Sequence, residues 1–285
     1  MGSENDPDSR RLTRRNFLIG SGALILGTGL AKATGNLPRI NFGEKPLEEY
    51  DDRFLETIKQ YPSSRFYYHN AAENPLRLEK ALASPALNIE ADVINFDDRL
   101  YIAHSLKEFT RDLTVHPEYI EEQKAETVFR KIVDSGKNPA IDIKPAIRNG
   151  KGLNLLLNSI ADNIPEETVV TFSGEQDLVK EFTFRQNSII VPTIFRQSQI
   201  YDYEEFAEKE WKNIDPEFIR VGATVNSEIW DDDLRSLLGY NRERGFESNV
   251  YTINDESRII TLLDWGATGI TSDRESILTR ANQTF

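Results

Sequence analysis

Asn88-Ile89-Glu90-Ala91-Asp92-Val93 decides the fold class. Apolar residues at 89, 91 and 93 interleave with acids at 90 and 92. A period of two belongs to a β-strand, and it puts Glu90 and Asp92 on one face with the apolar side chains on the other. Ala140-Ile141-Asp142-Ile143-Lys144 repeats the device, with Asp142 and Lys144 sharing a face between Ile141 and Ile143. In a barrel strand, the face that carries such charges near the C-terminal end belongs to the mouth.

Outward from these two segments the chain alternates β-rich runs with helical stretches. Further strands are expected at Phe66 to His69, Leu100 to Ala103, Thr168 to Phe172, Ile189 to Ile194, Phe218 to Gly222, Asn249 to Ile253 and Gly269 to Ser272. Helices are expected at Leu47 to Tyr61, Pro75 to Ala83, Glu118 to Ser135, Leu153 to Ala161, Gln176 to Phe184, Tyr203 to Trp211, Asp231 to Arg244 and Glu256 to Trp265. About eight strand-then-helix units imply parallel pairing, and eight units close into a (β/α)8 TIM barrel over residues 65–285, an α/β fold of one domain. The competing arrangement is an open doubly wound sheet. No Gly-rich phosphate loop after the first strand supports it.

The chain has 285 residues, 39% of them apolar, which is enough for a sizeable core. Its net charge of −13 gives it no electrostatic reason to hold nucleic acid or an anionic membrane surface. An anionic substrate would need a local positive element. No cysteine is present, so disulfides, thiolate nucleophiles and Cys-ligated metals are excluded. Only His69, His104 and His116 are available for imidazole chemistry.

Residues 1–35 read as an address. Arg10, Arg11, Arg14 and Arg15 precede an apolar, Gly-rich run from Leu18 to about Ala31, and Ala31-Lys32-Ala33 offers small residues for cleavage. Thr13-Arg14-Arg15-Asn16-Phe17-Leu18 resembles the twin-arginine export motif. That implies passage through the twin-arginine translocation machinery in the folded state and a periplasmic or extracellular location. The apolar run is short for a membrane span, so no stable span is expected in the mature form. Residues 36–64 are read as a linker and N-terminal helix.

Two carboxylates on one buried face are unfavourable unless a cation neutralises them. Oxygen ligands suit a hard divalent cation, Mg²⁺ or Ca²⁺. Glu90, Asp92 and Asp142 are therefore candidate metal ligands. Lys144 is a candidate phosphate contact, or else the partner of Asp142 in an internal salt bridge. His69 and His104 end strand candidates, where barrel mouths place catalytic groups. Two imidazoles flanking a phosphodiester would serve as base or nucleophile on one side and as general acid on the other. His116, before Pro117, is read as structural.

His69-Asn70-Ala71-Ala72-Glu73-Asn74, Ile89-Glu90-Ala91-Asp92-Val93 and Ala103-His104 resemble the phospholipase C-like phosphodiesterase superfamily. That group includes the glycerophosphodiester phosphodiesterases and the sphingomyelinases D, and the sequence is most similar to the menorin family within it. Tyr251-Thr252-Ile253-Asn254 and Gly266 to Asp273 resemble the closing segment of the glycerophosphodiesterases. The resemblance spans roughly residues 65–275. It implies a distorted (β/α)8 barrel and a metal-dependent phosphoric diester hydrolase. The catalytic residues would be His69 and His104, the metal ligands Glu90, Asp92 and Asp142, and Lys144 would match a phosphate-facing lysine; Asn70, and Asn254 near a strand end, are further candidate substrate contacts. The substrate would be a small or lipid-derived phosphodiester, of glycerophosphodiester or lysophospholipid type. Asn70 and Pro75 depart from the glycerophosphodiesterases, which carry Arg and Thr there, and this loosens the link to their substrates. Two other readings explain part of the pattern: a glycoside hydrolase using Glu90 with Asp142, and an exported menorin-like binding module without turnover.

Overall fold

The computed structural model describes residues 52–62, 64–147, 150–182 and 187–282. The export segment at 1–35 and most of the 36–64 linker lie outside these residues. Among the described residues, nine strands form one sheet: β1 (Arg65–Tyr68), β2 (Asn88–Phe96), β3 (Arg99–Ile102), β4 (Asn138–Ile143), β5 (Val170–Gly174), β6 (Ser188–Ile194), β7 (Ile219–Asn226), β8 (Glu247–Tyr251) and β9 (Gly269–Ser272). Eight are parallel. They run β1-β2-β4-β5-β6-β7-β8-β9, and β9 returns to pair with β1, closing the expected barrel. β3 stands outside the ring as the antiparallel hairpin partner of β2.

Helices α1 (Asp52–Ile58), α2 (Pro75–Ala83), α3 (Leu106–Val115), α4 (Ala125–Asp134), α5 (Gly150–Asn163), α6 (Gln176–Val179), α7 (Gln199–Glu210), α8 (Asp231–Arg244), α9 (Glu256–Trp265) and α10 (Glu275–Asn282) complete the described elements. No described helix is long and apolar enough to cross a membrane. The period of two separates the two faces of the barrel wall. Ile89, Ala91, Val93, Ile141, Ile143, Phe172, Ile190, Val225 and Val250 join the helices in one buried apolar cluster. The alternate residues, among them Glu90, Asp92, Asp142, Thr171, Thr193, Thr224 and Tyr251, line the interior. Arg65 and Arg220 hold Glu247 at the opposite end of the barrel, at 2.9 and 3.5 Å, where charge serves stability.

Three elements differ from the sequence expectation. The acidic stretch after residue 117 begins as a 3-10 turn over Pro117–Tyr119, and the helix proper starts at Ala125. Its N-terminal part is held to the hairpin instead, with Lys124 bridging to Tyr101. Leu106–Val115 forms α3, capped by Ser105, whose Oγ accepts from Glu108 N at 3.2 Å. α3 packs Phe109 and Leu113 against Ile94 and Tyr101 of the hairpin in a small separate cluster. α10 follows the last strand, packing Ile277, Leu278 and Ala281 into the main core.

Gly222 on β7 shows how closely the wall is built. A Cβ there would stand 1.8 Å from the carbonyl oxygen of Glu247 on β8, so only glycine fits.

Candidate active site

Parallel pairing in register sets Asp92 beside Asp142 and Asp142 beside Ser173, in one layer across β2, β4 and β5. Glu90 lies one layer deeper, beside Ala140. His69 and Lys144 follow the last residues of β1 and β4, as the C-terminal rim of a barrel requires. His104 follows β3 and reaches the same cleft, because Ala103 N–H donates to Asp92 O at 2.9 Å. His69, Asn70, Glu90, Asp92, His104, Asp142 and Lys144 thus meet in one cleft. Its volume is about 110 Å³. At about 10–15 Å³ per water, that space takes a phosphoryl group with the first atoms of its esters.

Lys144 is the cation between the acids. Its Nζ donates to Asp142 Oδ2 at 2.5 Å and lies 3.1 Å from Asp92 Oδ1. Burial opposes its charge, but the Asp142 and Asp92 carboxylates overcome that and hold it above the ordinary lysine value. The salt-bridge reading of Lys144 is therefore met in the geometry. Ser173 Oγ donates to Asp142 Oδ1 at 3.0 Å, so each oxygen of that carboxylate has one donor. Asp92 is 2% exposed, and its Oδ2 has no hydrogen-bond partner. Burial raises its pKa to about 6, with Lys144 opposing and Asp142 adding to the rise. Glu90 is pushed up to about 8 by burial first and then by the Asp92 charge.

Asn70 has a φ of 49°, left-handed backbone that asparagine tolerates better than most residues. The turn aims its N–H at Glu90 Oε2, 2.8 Å away. Asn70 thus positions Glu90 through its backbone and is itself part of the cleft lining.

His69 is held from behind. Its Nδ1 stands 2.8 Å from Asp273 Oδ1, and its Nε2 lies 3.9 Å from Glu90 Oε2. Asp273 is kept below the usual carboxylate range, chiefly by this hydrogen bond, and so is ionised at neutral pH. A carboxylate only accepts, so Nδ1 carries the proton and Nε2 faces the cleft. Burial disfavours the imidazolium, but Asp273 and Glu90 outweigh it and raise the His69 pKa. Asn254 does not line the cleft. It donates to Asp273 Oδ2 at 3.2 Å and accepts from Asp273 N at 3.0 Å, so it holds the residue that holds His69. His104 is more open, 51% exposed, with Nδ1 3.7 Å from Glu108. His116 lies apart, stacked on Tyr119 and facing Glu118.

Sequence reasoning named Asp273 within the closing segment but gave it no role. Tyr251, named in the same segment, likewise had no role, and Thr224, Thr193 and Ser173, which line the cleft from within apolar or β-branched runs, were passed over. No charge marks them, and only their position on inward-facing registers could have.

Among the described residues, no three His, Asp or Glu side chains stand close enough around one point to hold a metal ion as they are arranged.

No protein-family model matches the sequence, and no curated protein matches it. Solved structures do match. An Oleispira antarctica phosphodiesterase in complex with the product sn-glycerol-3-phosphate superposes with a TM-score of 0.59 at 15% identity, over 79% of this chain and 98% of that one. A glycerophosphodiester phosphodiesterase from Parabacteroides distasonis gives 0.53 at 14%, over 78% and 97%. One from Thermotoga maritima gives 0.53 at 16%, over 75% and 95%. At these identities the likeness is one of fold, and the chain carries the (β/α)8 barrel fold of the glycerophosphodiester phosphodiesterases.

Proposed function

We propose that the protein is a metal-assisted phosphoric diester hydrolase acting on a small or lipid-derived phosphodiester of glycerophosphodiester or lysophospholipid type. One observation carries the reading: two imidazoles, three carboxylates and a lysine meet in a single cleft at the C-terminal rim of this barrel. A glycoside hydrolase would use the carboxylates and leave His69, His104 and Lys144 without tasks.

The donor set suits a hard cation, Mg²⁺ or Ca²⁺. Its ligands are carboxylates, and Asp92 Oδ2 is buried without a partner. Glu90, Asp92 and Asp142 would have to draw closer together than they stand here to hold the ion, and bound there it would polarise a phosphoryl oxygen. The remaining work belongs to the chain. His69, oriented by Asp273, presents Nε2 as base or nucleophile. His104, on the open side, delivers a proton to the leaving oxygen. Lys144 offsets the carboxylate charge that would otherwise repel an anionic substrate. Asn70 and Asn254 act by holding Glu90 and Asp273.

The amino-terminal segment supports export by the twin-arginine route to the periplasm or beyond, which fractionation of cells with Arg14→Lys and Arg15→Lys would check. The activity is tested by a metal-supplemented screen of phosphodiesters, from glycerophosphodiesters to choline lysolipids, read by phosphorus NMR. His69→Ala and His104→Ala are expected to abolish turnover with the fold intact. Full activity in both would sink the scheme.

A further inference from the structure

Most polar groups in the cleft are already engaged by the protein itself. Lys144 bonds to Asp142 and lies against Asp92, and Ser173 donates to Asp142. Tyr67 pairs with Thr171 at 3.3 Å, and Asn249 with Thr271 at 3.1 Å. Thr193 Oγ1 accepts from Gly174 N at 3.1 Å. Two cleft hydroxyls differ. Thr224 Oγ1 and Tyr251 OH are both buried without a hydrogen-bond partner. Thr224 is 6% exposed. Orphaned buried hydroxyls are unfavourable, so two in one cleft point to a ligand that satisfies them.

Their place in the ring says what that ligand presents. In the order β1-β2-β4-β5-β6-β7-β8-β9, β7 stands across the barrel from β2, and β8 across from β4. Thr224 therefore faces the wall of Glu90 and Asp92, and Tyr251 faces the wall of Asp142 and Lys144. The register pairs Thr224 with Asn249, and Tyr251 lies two residues further towards the rim on the same face of β8. Adjacent strands are about 4.8 Å apart, so the two hydroxyls serve one ligand at neighbouring heights. An anion entering this cleft meets carboxylates on one side. Neutral donors on the other side are what its remaining oxygens need, because they bind negative charge without adding a counter-charge that the acids would capture, as they capture Lys144.

We propose that Tyr251 and Thr224 form a hydroxyl pair that donates to the non-bridging oxygens of a phosphoryl group held across the barrel from the carboxylates. The pair deepens the phosphodiesterase reading and rests on it for the identity of the anion. Phosphate is the group bound, and Phe195, edge-on to Tyr251 with ring centroids 6.4 Å apart, shields the phenol on the rim side. The phenol stays protonated and able to donate, because burial and the Asp142 charge raise its pKa.

The test uses the full chain and inorganic phosphate, with calorimetry and thermal unfolding run side by side on wild type, Tyr251→Phe, Thr224→Val and the double variant. Tyr251→Phe is expected to raise the phosphate Kd at least tenfold, Thr224→Val to raise it less, and the double variant to raise it most. Loss of a transition-state donor is expected to cut kcat/KM by roughly 10²-fold for Tyr251→Phe. Each variant removes an unsatisfied buried hydroxyl, so its Tm is expected to equal or exceed that of wild type. Phosphate affinities within twofold of wild type, no phosphate binding by wild type, or a Tm loss that parallels the affinity loss would each overturn the pair. Pair-dependent phosphate binding in a protein that hydrolyses no phosphodiester would remove the hydrolase reading and leave the anion site standing.

Discussion

Replacing Asp273 by asparagine is expected to lower kcat by about 10- to 100-fold while the protein still folds. Asp273 reaches His69 Nδ1 at 2.8 Å across 204 residues of chain, and Asn254 and the Asp273 N–H fix its own position. A hydrogen bond to a charged group contributes about 1.5–3 kcal/mol. The Asp273 side chain is 42% exposed, so solvent screening puts this one in the lower half of that range. At about 1.4 kcal/mol per tenfold, orientation alone accounts for roughly 10- to 40-fold. The amide adds a second loss, because its NH₂ can donate to Nδ1 and so stabilise the tautomer that puts the proton on Nε2. The assay is single-substrate kinetics on the best phosphodiester, with NMR titration of His69 in metal-free protein. Asp273 is one of the groups that raise the His69 pKa against burial, so that pKa is expected to fall in the variant. A kcat within twofold of wild type together with an unmoved His69 titration would refute the positioning argument. Asn254→Ala is expected to act in the same direction and less strongly.

Lys144→Met leaves two neighbouring carboxylates, one of them 2% exposed, without their cation. It is expected to cost about 3–5 kcal/mol in metal-free protein, measured by urea unfolding and partly recovered in millimolar Mg²⁺ or Ca²⁺. Unchanged stability would contradict the charge balance drawn here. Asp255 caps α9, accepting from Arg258 N at 2.8 Å, so Asp255→Ala is expected to cost about 1 kcal/mol at neutral pH. The folded pKa of Asp255 is depressed, chiefly by its bond from Ser257. The stability that its charge contributes is thus present above the unfolded value of 3.8 and is lost as pH falls through the lower folded value. The gap between wild type and variant should narrow only there. Gly222→Ala puts a methyl 1.8 Å from a backbone oxygen and is expected to prevent stable folding, read by circular dichroism. A cooperative melt near that of wild type would mean that β7 and β8 are less tightly apposed than described.

The period-two pattern made Glu90, Asp92, Asp142 and Lys144 legible, because a strand's face follows from spacing alone. The barrel followed from the count of alternating units. What spacing leaves open is which strand pairs with which. The adjacency of Asp92 and Asp142, the contact of His69 with Asp273 and the position of Tyr251 across from β4 all depend on ring closure. α3 escaped notice although Leu106, Phe109 and Leu113 are spaced along one helical face, because it is an extra helix between β3 and α4 that interrupts the simple strand–helix alternation. The cleft hydroxyls escaped for a related reason. Threonine and tyrosine are ordinary strand residues, and nothing in their neighbours distinguishes an inward hydroxyl that is satisfied from one that is not. Asn254 stood out as a polar residue near a strand end, and the geometry gives it a supporting place behind His69 in contact with Asp273.

The most direct test of the central claim is phosphorus NMR of glycerophosphodiesters and choline lysolipids incubated with the protein in Mg²⁺ or Ca²⁺, with and without chelator. The account predicts conversion of at least one diester to a phosphomonoester or cyclic phosphate, lost with chelator and lost in His69→Ala and His104→Ala. No conversion of any diester under either metal, or conversion that survives both chelator and the two histidine variants, would contradict it.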